Sequence, residues 1–167
     1  MEQDKKDVYK STNSDSSAVG KYQFLWGDEI KEKNTGKRSG HHTMIMKVTG
    51  VKSKEEFLNS PEAQEKYMQY VYEHDYKPTI NKLKSQYNGM SDDLLSALLH
   101  FQGEGGTKVY LSTFFSKLKE FKGDVDHAHA AAQHSLNQLI KKNNGGILPK
   151  NATVQDYLTK FLTALYN

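Results

Sequence analysis

SDDLLSALLHFQGEGGTKVYLSTFFSKLKEF, residues 91–121, decides the class of fold. Leu94, Leu95, Leu98 and Leu99 recur at the spacing that places side chains on one face of a helix, and Leu111, Phe114, Phe115 and Leu118 repeat the pattern. A glycine-rich turn at residues 103–106 separates the two. The same period runs outward in both directions. Ser53 with Glu56 three residues on makes a capping box, and Pro61 restarts a helix after Ser60. Tyr67, Val71 and Tyr72 then share a face until Pro78 kinks or interrupts it. Residues 124–142 read as an alanine-rich helix that Asn143, Asn144, Gly145 and Gly146 break. In the last stretch Thr153 is an N-cap, and Val154, Tyr157, Leu158, Phe161, Leu162 and Leu165 form the clearest stripe of the chain. Nearer the start, Phe24, Leu25 and Ile30 open a short helix closed by Asn34, Thr35 and Gly36, and residues 37–47 form a basic loop. No segment alternates as a sustained strand. The expectation is a mainly α fold with at most a small hairpin around residues 43–48.

A length of 167 residues fits one domain, expected over residues 18–167 behind a flexible polar segment at 1–17. Without cysteine the fold has neither disulfides nor thiolate metal sites and must rest on an ordinary core. Mean hydropathy is −0.79, and no apolar run approaches the roughly 20 residues that span a bilayer, so no membrane insertion is expected. The 23 basic residues are nearly balanced by 20 acidic ones, for a net charge of +3. The lysines are interleaved with acids rather than gathered on one face, which argues against nucleic acid as a partner and fits weak attraction to anionic polymers. Residues 1–10 lack the apolar stretch of a secretory signal. The expected route to any target outside the cytoplasm is therefore lysis, a partner, or packaging into a particle.

Three ordered blocks resemble one family. SSAVGKYQFLW, residues 16–26, resembles the A-x-G-x-x-Q segment of soluble lytic transglycosylases and their phage relatives, with Ala18, Gly20 and Gln23 at the matching places. LLSALLHFQGEGGTKVYL, residues 94–111, is similar to the helix that ends in an A-Y-N-A-G-type turn, with Phe101 and Gln102 at the Tyr and Asn places. ATVQDYLTKFL, residues 152–162, looks like the closing helix, with Tyr157 as the matching tyrosine. Residues 48–68 also look like the region that follows Y-Q-F in virion-associated versions.

The resemblance implies a lysozyme-like fold, shared with goose-type lysozymes, and cleavage of the β-1,4 bond between N-acetylmuramic acid and N-acetylglucosamine in peptidoglycan. One glutamate in a partly apolar cleft protonates the leaving oxygen, because desolvation keeps it neutral. The sugar's 6-hydroxyl then attacks, or water does, and no second carboxylate and no cofactor are needed. In the family that glutamate lies upstream of the A-x-G-x-x-Q block. Here Glu2 is the only glutamate before the block, and Asp7 is one methylene short. Glu104, in the glycine-rich turn, is the next candidate acid. Gln23 and Gln102 offer amides to sugar hydroxyls or to the neighbouring backbone. Tyr22, Phe101 and Tyr157 are candidates for stacking on sugar faces or for the core. His127 and His129 point to different faces of one helix, and His127 and His134 lie two turns apart, so no metal site is expected. His41 and His42 stand beside Lys37 and Arg38 in the basic loop, solvated or touching anionic polymers.

Two functions follow. One is a peptidoglycan lytic transglycosylase or muramidase, phage-associated and acting on glycan strands, with other virion or secretion-machine proteins as further partners. The other is an incomplete module of the same fold that binds the wall or builds the particle. An intermediate reading has the glutamate-bearing helix upstream of Met1 in a longer protein or on a partner chain.

Overall fold

The structure, a computed structural model, describes residues 7–14, 16–35, 40–87 and 89–144, with the side chains of 139–144 excepted. Its elements are a 3-10 turn Val8–Lys10, strands β1 (Ala18–Val19) and β2 (Phe24–Leu25), and helices α1 (Glu29–Thr35), α2 (His42–Thr49), α3 (Lys54–Leu58), α4 (Pro61–Val71), α5 (Lys77–Gln86), α6 (Asp92–Glu120) and α7 (Val125–Asn144). It is mainly α-helical with one minor two-stranded sheet. By contact the chain divides into two compact units, Met1–Glu73 and His74–Asn167. The closing helix expected from Thr153 lies outside the described residues.

In the first unit the caps form as their sequence requires. The Ser53 hydroxyl accepts from the Glu56 N–H, and the Ser60 hydroxyl accepts from the Ala63 N–H with Pro61 at the first helical position. Helices α2 and α3 both pack on α4. Ile45, Phe57, Tyr67 and Val71 are buried there beside Val19, Phe24 and Trp26 from the sheet region. Three expectations are corrected. The hairpin is formed by β1 and β2, and residues 42–49 are helix α2 rather than loop or strand, because burying His42 and Ile45 outweighs their polar neighbours. Phe24 and Leu25 are strand rather than helix. Residues 7–14, read as loose, are tied down: Gly20 N–H donates to Ser11 O at 2.8 Å, Thr12 bridges Val19, and the Tyr9 hydroxyl reaches Glu65.

Ahead of α5 the residues Tyr72–Tyr76 widen into a π-helical turn. Pro78 lacks the N–H that would bond four residues back, so the interruption takes this form.

In the second unit α6 packs on α5 and, more extensively, on α7. Ala128, Ala132 and Leu136 of α7 are fully buried at i, i+4, i+8, and Leu136 Cδ1 lies 3.4 Å from where a side chain on Gly106 would begin. The glycine-rich turn shrinks to one residue. Gly103 alone leaves the helix (φ 65°, ψ −169°), a conformation open essentially to glycine, and residues 104–106 already belong to the next helical stretch. Neighbouring glycines should therefore respond with opposite signs. Nothing lies within 4 Å of a side chain added at Gly103 or at Gly105. Gly103→Ala is expected to cost about 1–3 kcal/mol of backbone strain. Gly105→Ala is expected to gain up to about 1 kcal/mol of helix propensity. Denaturant midpoints of the two variants check this.

Candidate functional site

Tyr22 and Gln23 lie in the first unit, and Phe101, Gln102 and Glu104 lie in the second. Glu2 and Tyr157 lie outside the described residues. The sharpest local construction is the loop at residues 20–23, which joins antiparallel β1 and β2 in the register Ala18↔Leu25 and Val19↔Phe24. Gly20 has φ 75° and Gln23 has φ 55°. The strained Gln23 is held by its own amide, which donates to Gly20 O at 2.8 Å, so its side chain closes the turn.

Behind the turn stands α4. Gln64, 1% exposed, accepts from the Lys21 N–H at 2.8 Å and donates to Tyr9 O and Phe57 O, each at 2.9 Å. Glu65 receives three donors: the Tyr9 hydroxyl at 2.8 Å, Lys21 Nζ at 2.7 Å and the Tyr22 hydroxyl at 2.6 Å. Burial alone would raise the Glu65 pKa. The donors from Lys21, Tyr22 and Tyr9 outweigh it and hold the carboxyl below its usual range. Burial first, and then the Glu65 bond, push the Tyr22 hydroxyl up to about 12. Tyr22 is buried, and its hydroxyl serves this cluster.

Next to it Phe24, His41, Tyr67 and Tyr70 form a row of rings. Phe24 and Tyr67 meet edge to face with centroids at 4.8 Å, and the Tyr67 and Tyr70 planes are 15° apart. His41 Nδ1 lies 2.7 Å from the Tyr67 hydroxyl. His42 is buried at the start of α2, not solvated in a loop. A groove of about 430 Å³ elsewhere on this unit is lined by Lys10, Lys54, Glu55, Leu58 and Asn59, none of them singled out from the sequence.

In the second unit Phe101 and Gln102 precede the Gly103 break, and the Gln102 side chain packs where a side chain on Gly106 would stand. Glu104 is ion-paired with Lys108 at 2.7 Å and Lys82 at 3.3 Å. Both cations lower its pKa, so the carboxyl is ionised and carries no proton to give at neutral pH. His129 is half-buried. Its ring lies 4.4 Å from that of Phe114, its Nδ1 is 2.6 Å from the Tyr110 hydroxyl, and burial lowers its pKa. Asp124 caps the start of α7 by accepting from the His127 N–H at 3.1 Å and also meets the His127 ring at Nδ1, and no three His, Asp or Glu gather as metal ligands would among the described residues.

Sequence reasoning missed Glu65, which is joined to Lys21 and Tyr22 across more than forty residues. No local pattern announces such a pairing. Compared with protein-family models, with curated proteins and with solved structures, the chain matches none.

Proposed function

We propose that the chain is a peptidoglycan-directed domain, carried by a phage particle or a comparable wall-penetrating machine, that cleaves the bond between N-acetylmuramic acid and N-acetylglucosamine. The observation that carries this reading is local. Gly20 and Gln23, on which the resemblance of the first block rests, together with Tyr22, are the residues that build the turn at 20–23. The likeness therefore lies in residues with a structural task, and not in composition alone. His41 and Tyr70, half-buried against the fully buried Phe24 and Tyr67, are the accessible edge of this ring row and the part of it on which a sugar face could stack.

A second reading, a wall-binding module without catalysis, is favoured by one specific observation. Glu65 and Glu104 are both held ionised by lysine partners, the reverse of what a general acid needs. Co-sedimentation separates both readings from an unrelated function. The chain is expected to pellet with purified peptidoglycan sacculi, less so as salt rises, and to show no sub-micromolar affinity for duplex DNA at physiological salt. A chain that stays in the supernatant with every sacculus type removes both.

A further inference from the structure

The groove of about 430 Å³ in the first unit lies between two anchored segments. One is the turn Val8–Lys10, which contributes Lys10; the other is α3 with its C-cap, which contributes Lys54, Glu55, Leu58 and Asn59. Lys54 with Leu58 and Glu55 with Asn59 are each four residues apart, so two neighbouring rows of the helix line the groove. The turn is tied to the core by buried Gln64, whose amide donates to Tyr9 O at 2.9 Å, and α3 is tied to it by the fully buried Phe57. Half-buried Leu58 and the methylene stems of the two lysines give the groove apolar surface.

Its polar groups are open to an occupant. Among the described residues the Lys54 ammonium and the Glu55 carboxylate have no hydrogen-bond or ion-pair partner, and both side chains are exposed. Lys10 has only a loose pair with exposed Asp7 at 3.7 Å. Asn59 Nδ2 donates to Glu55 O at 3.0 Å, which leaves the Asn59 carbonyl oxygen as an acceptor. The volume falls within the roughly 300–1,000 Å³ of small-ligand sites. The complementary occupant carries carboxylates, an amine or N–H donors, and small apolar groups. Bare glycan has hydroxyls and acetamido groups and no charge. A phosphate polymer meets Glu55 as a like charge and has nothing for Leu58. The peptide borne on N-acetylmuramic acid has the whole set: alanine methyls, free carboxylates, backbone N–H groups and the side-chain amine of its diamino acid.

We propose that this groove binds the stem peptide of peptidoglycan, an assignment that rests on the peptidoglycan reading above and extends it from the sugars to the peptide. Lys54 and Lys10 meet the carboxylates, Glu55 meets the amine, Leu58 packs on an alanine methyl, and Asn59 accepts from a peptide N–H. Exposed ion pairs are weak singly, so recognition comes from the set together.

The test titrates the full chain, as wild type and as Lys54→Glu, with synthetic alanyl-γ-glutamyl-diaminopimelyl-alanine tetrapeptide, and follows backbone amide shifts by NMR. Expected are saturable shifts centred on Lys10 and residues 54–59, and binding about fivefold weaker in Lys54→Glu, the scale of one exposed charge pair. Because Lys54 is exposed and makes no ion pair among the described residues, the variant is expected to keep the wild-type thermal midpoint. Peptide-free glycan strands, released from sacculi by an amidase, are expected to leave residues 54–59 unshifted. Equal tetrapeptide affinity in wild type and Lys54→Glu, or shifts in the groove with glycan strands or inorganic polyphosphate and none with tetrapeptide, would overturn the assignment. If sacculi still bind the chain in that case, the peptidoglycan reading stands without it. A chain that binds neither tetrapeptide nor sacculi removes both.

Discussion

Alanine at position 20 is expected to cost the first unit about 3–5 kcal/mol, a large fraction of a typical domain's stability. Two costs add. The backbone there is left-handed, at φ 75°, which charges a non-glycine residue about 1–2 kcal/mol. The new Cβ would also stand 2.3 Å from Gln64 Oε1. Gln64 cannot yield cheaply, because it is buried and its amide makes three hydrogen bonds to backbone groups of Lys21, Tyr9 and Phe57. Gly50 provides the control. It ends α2 at φ 82° with nothing within 4 Å, so Gly50→Ala is expected to cost only the backbone part, about 1 kcal/mol. Trp26 is the only tryptophan and is buried in the first unit, so its fluorescence during denaturant unfolding reads this unit. Equal shifts for the two variants would contradict the Gln64 contact.

The second large effect is expected at the Lys21–Glu65 pair. The Lys21 side chain is only 8% exposed, so Glu65→Ala leaves an ammonium enclosed without its carboxylate. Removing one partner of a fully buried pair costs about 3–5 kcal/mol; the 44% exposure of the Glu65 side chain lets water reach the site and brings the expectation to about 2 kcal/mol. The double change Lys21→Met with Glu65→Leu should recover most of that loss, since no charge is then stranded. The pair also sets an acid limit. Because the folded-state pKa of Glu65 lies below 4.5, its contribution is fully present above pH 4.5 and fades as pH falls through the lowered value. Thermal midpoints measured from pH 7 downward should fall more steeply for wild type than for Glu65→Ala. Parallel curves would mean the ion pair contributes nothing.

What the sequence disclosed, and what it hid, follows from range. The starts of α3 and α4 were legible because a serine, the N–H three residues on and a proline lie within one turn. The α6 stripes were legible for the same reason, and Leu95, Leu98, Leu111 and Phe114 are buried as their spacing requires. The glycine-rich turn was legible only as a region: glycine permits a break without requiring one, and residues 104–106 stay helical. The sheet was misplaced because β1 and β2 have two residues each, too few for an alternating pattern, and lean on Ser11 and Thr12. Of the candidate site residues, Gln23 reads as a turn-closer and Tyr22 as a buried donor, roles that depend on Gly20 and Glu65.

Mass spectrometry of material released from purified sacculi by the full chain tests most directly the claim that this domain cuts peptidoglycan. Sacculi of several peptidoglycan types are incubated with the chain, and soluble muropeptides are scored for anhydro-muramyl or reducing ends. The predicted result is time-dependent release of muropeptides cut between N-acetylmuramic acid and N-acetylglucosamine from at least one type. Sacculi that bind the chain yet release no muropeptide contradict cleavage and support the binding module; sacculi that neither bind nor release contradict the whole account.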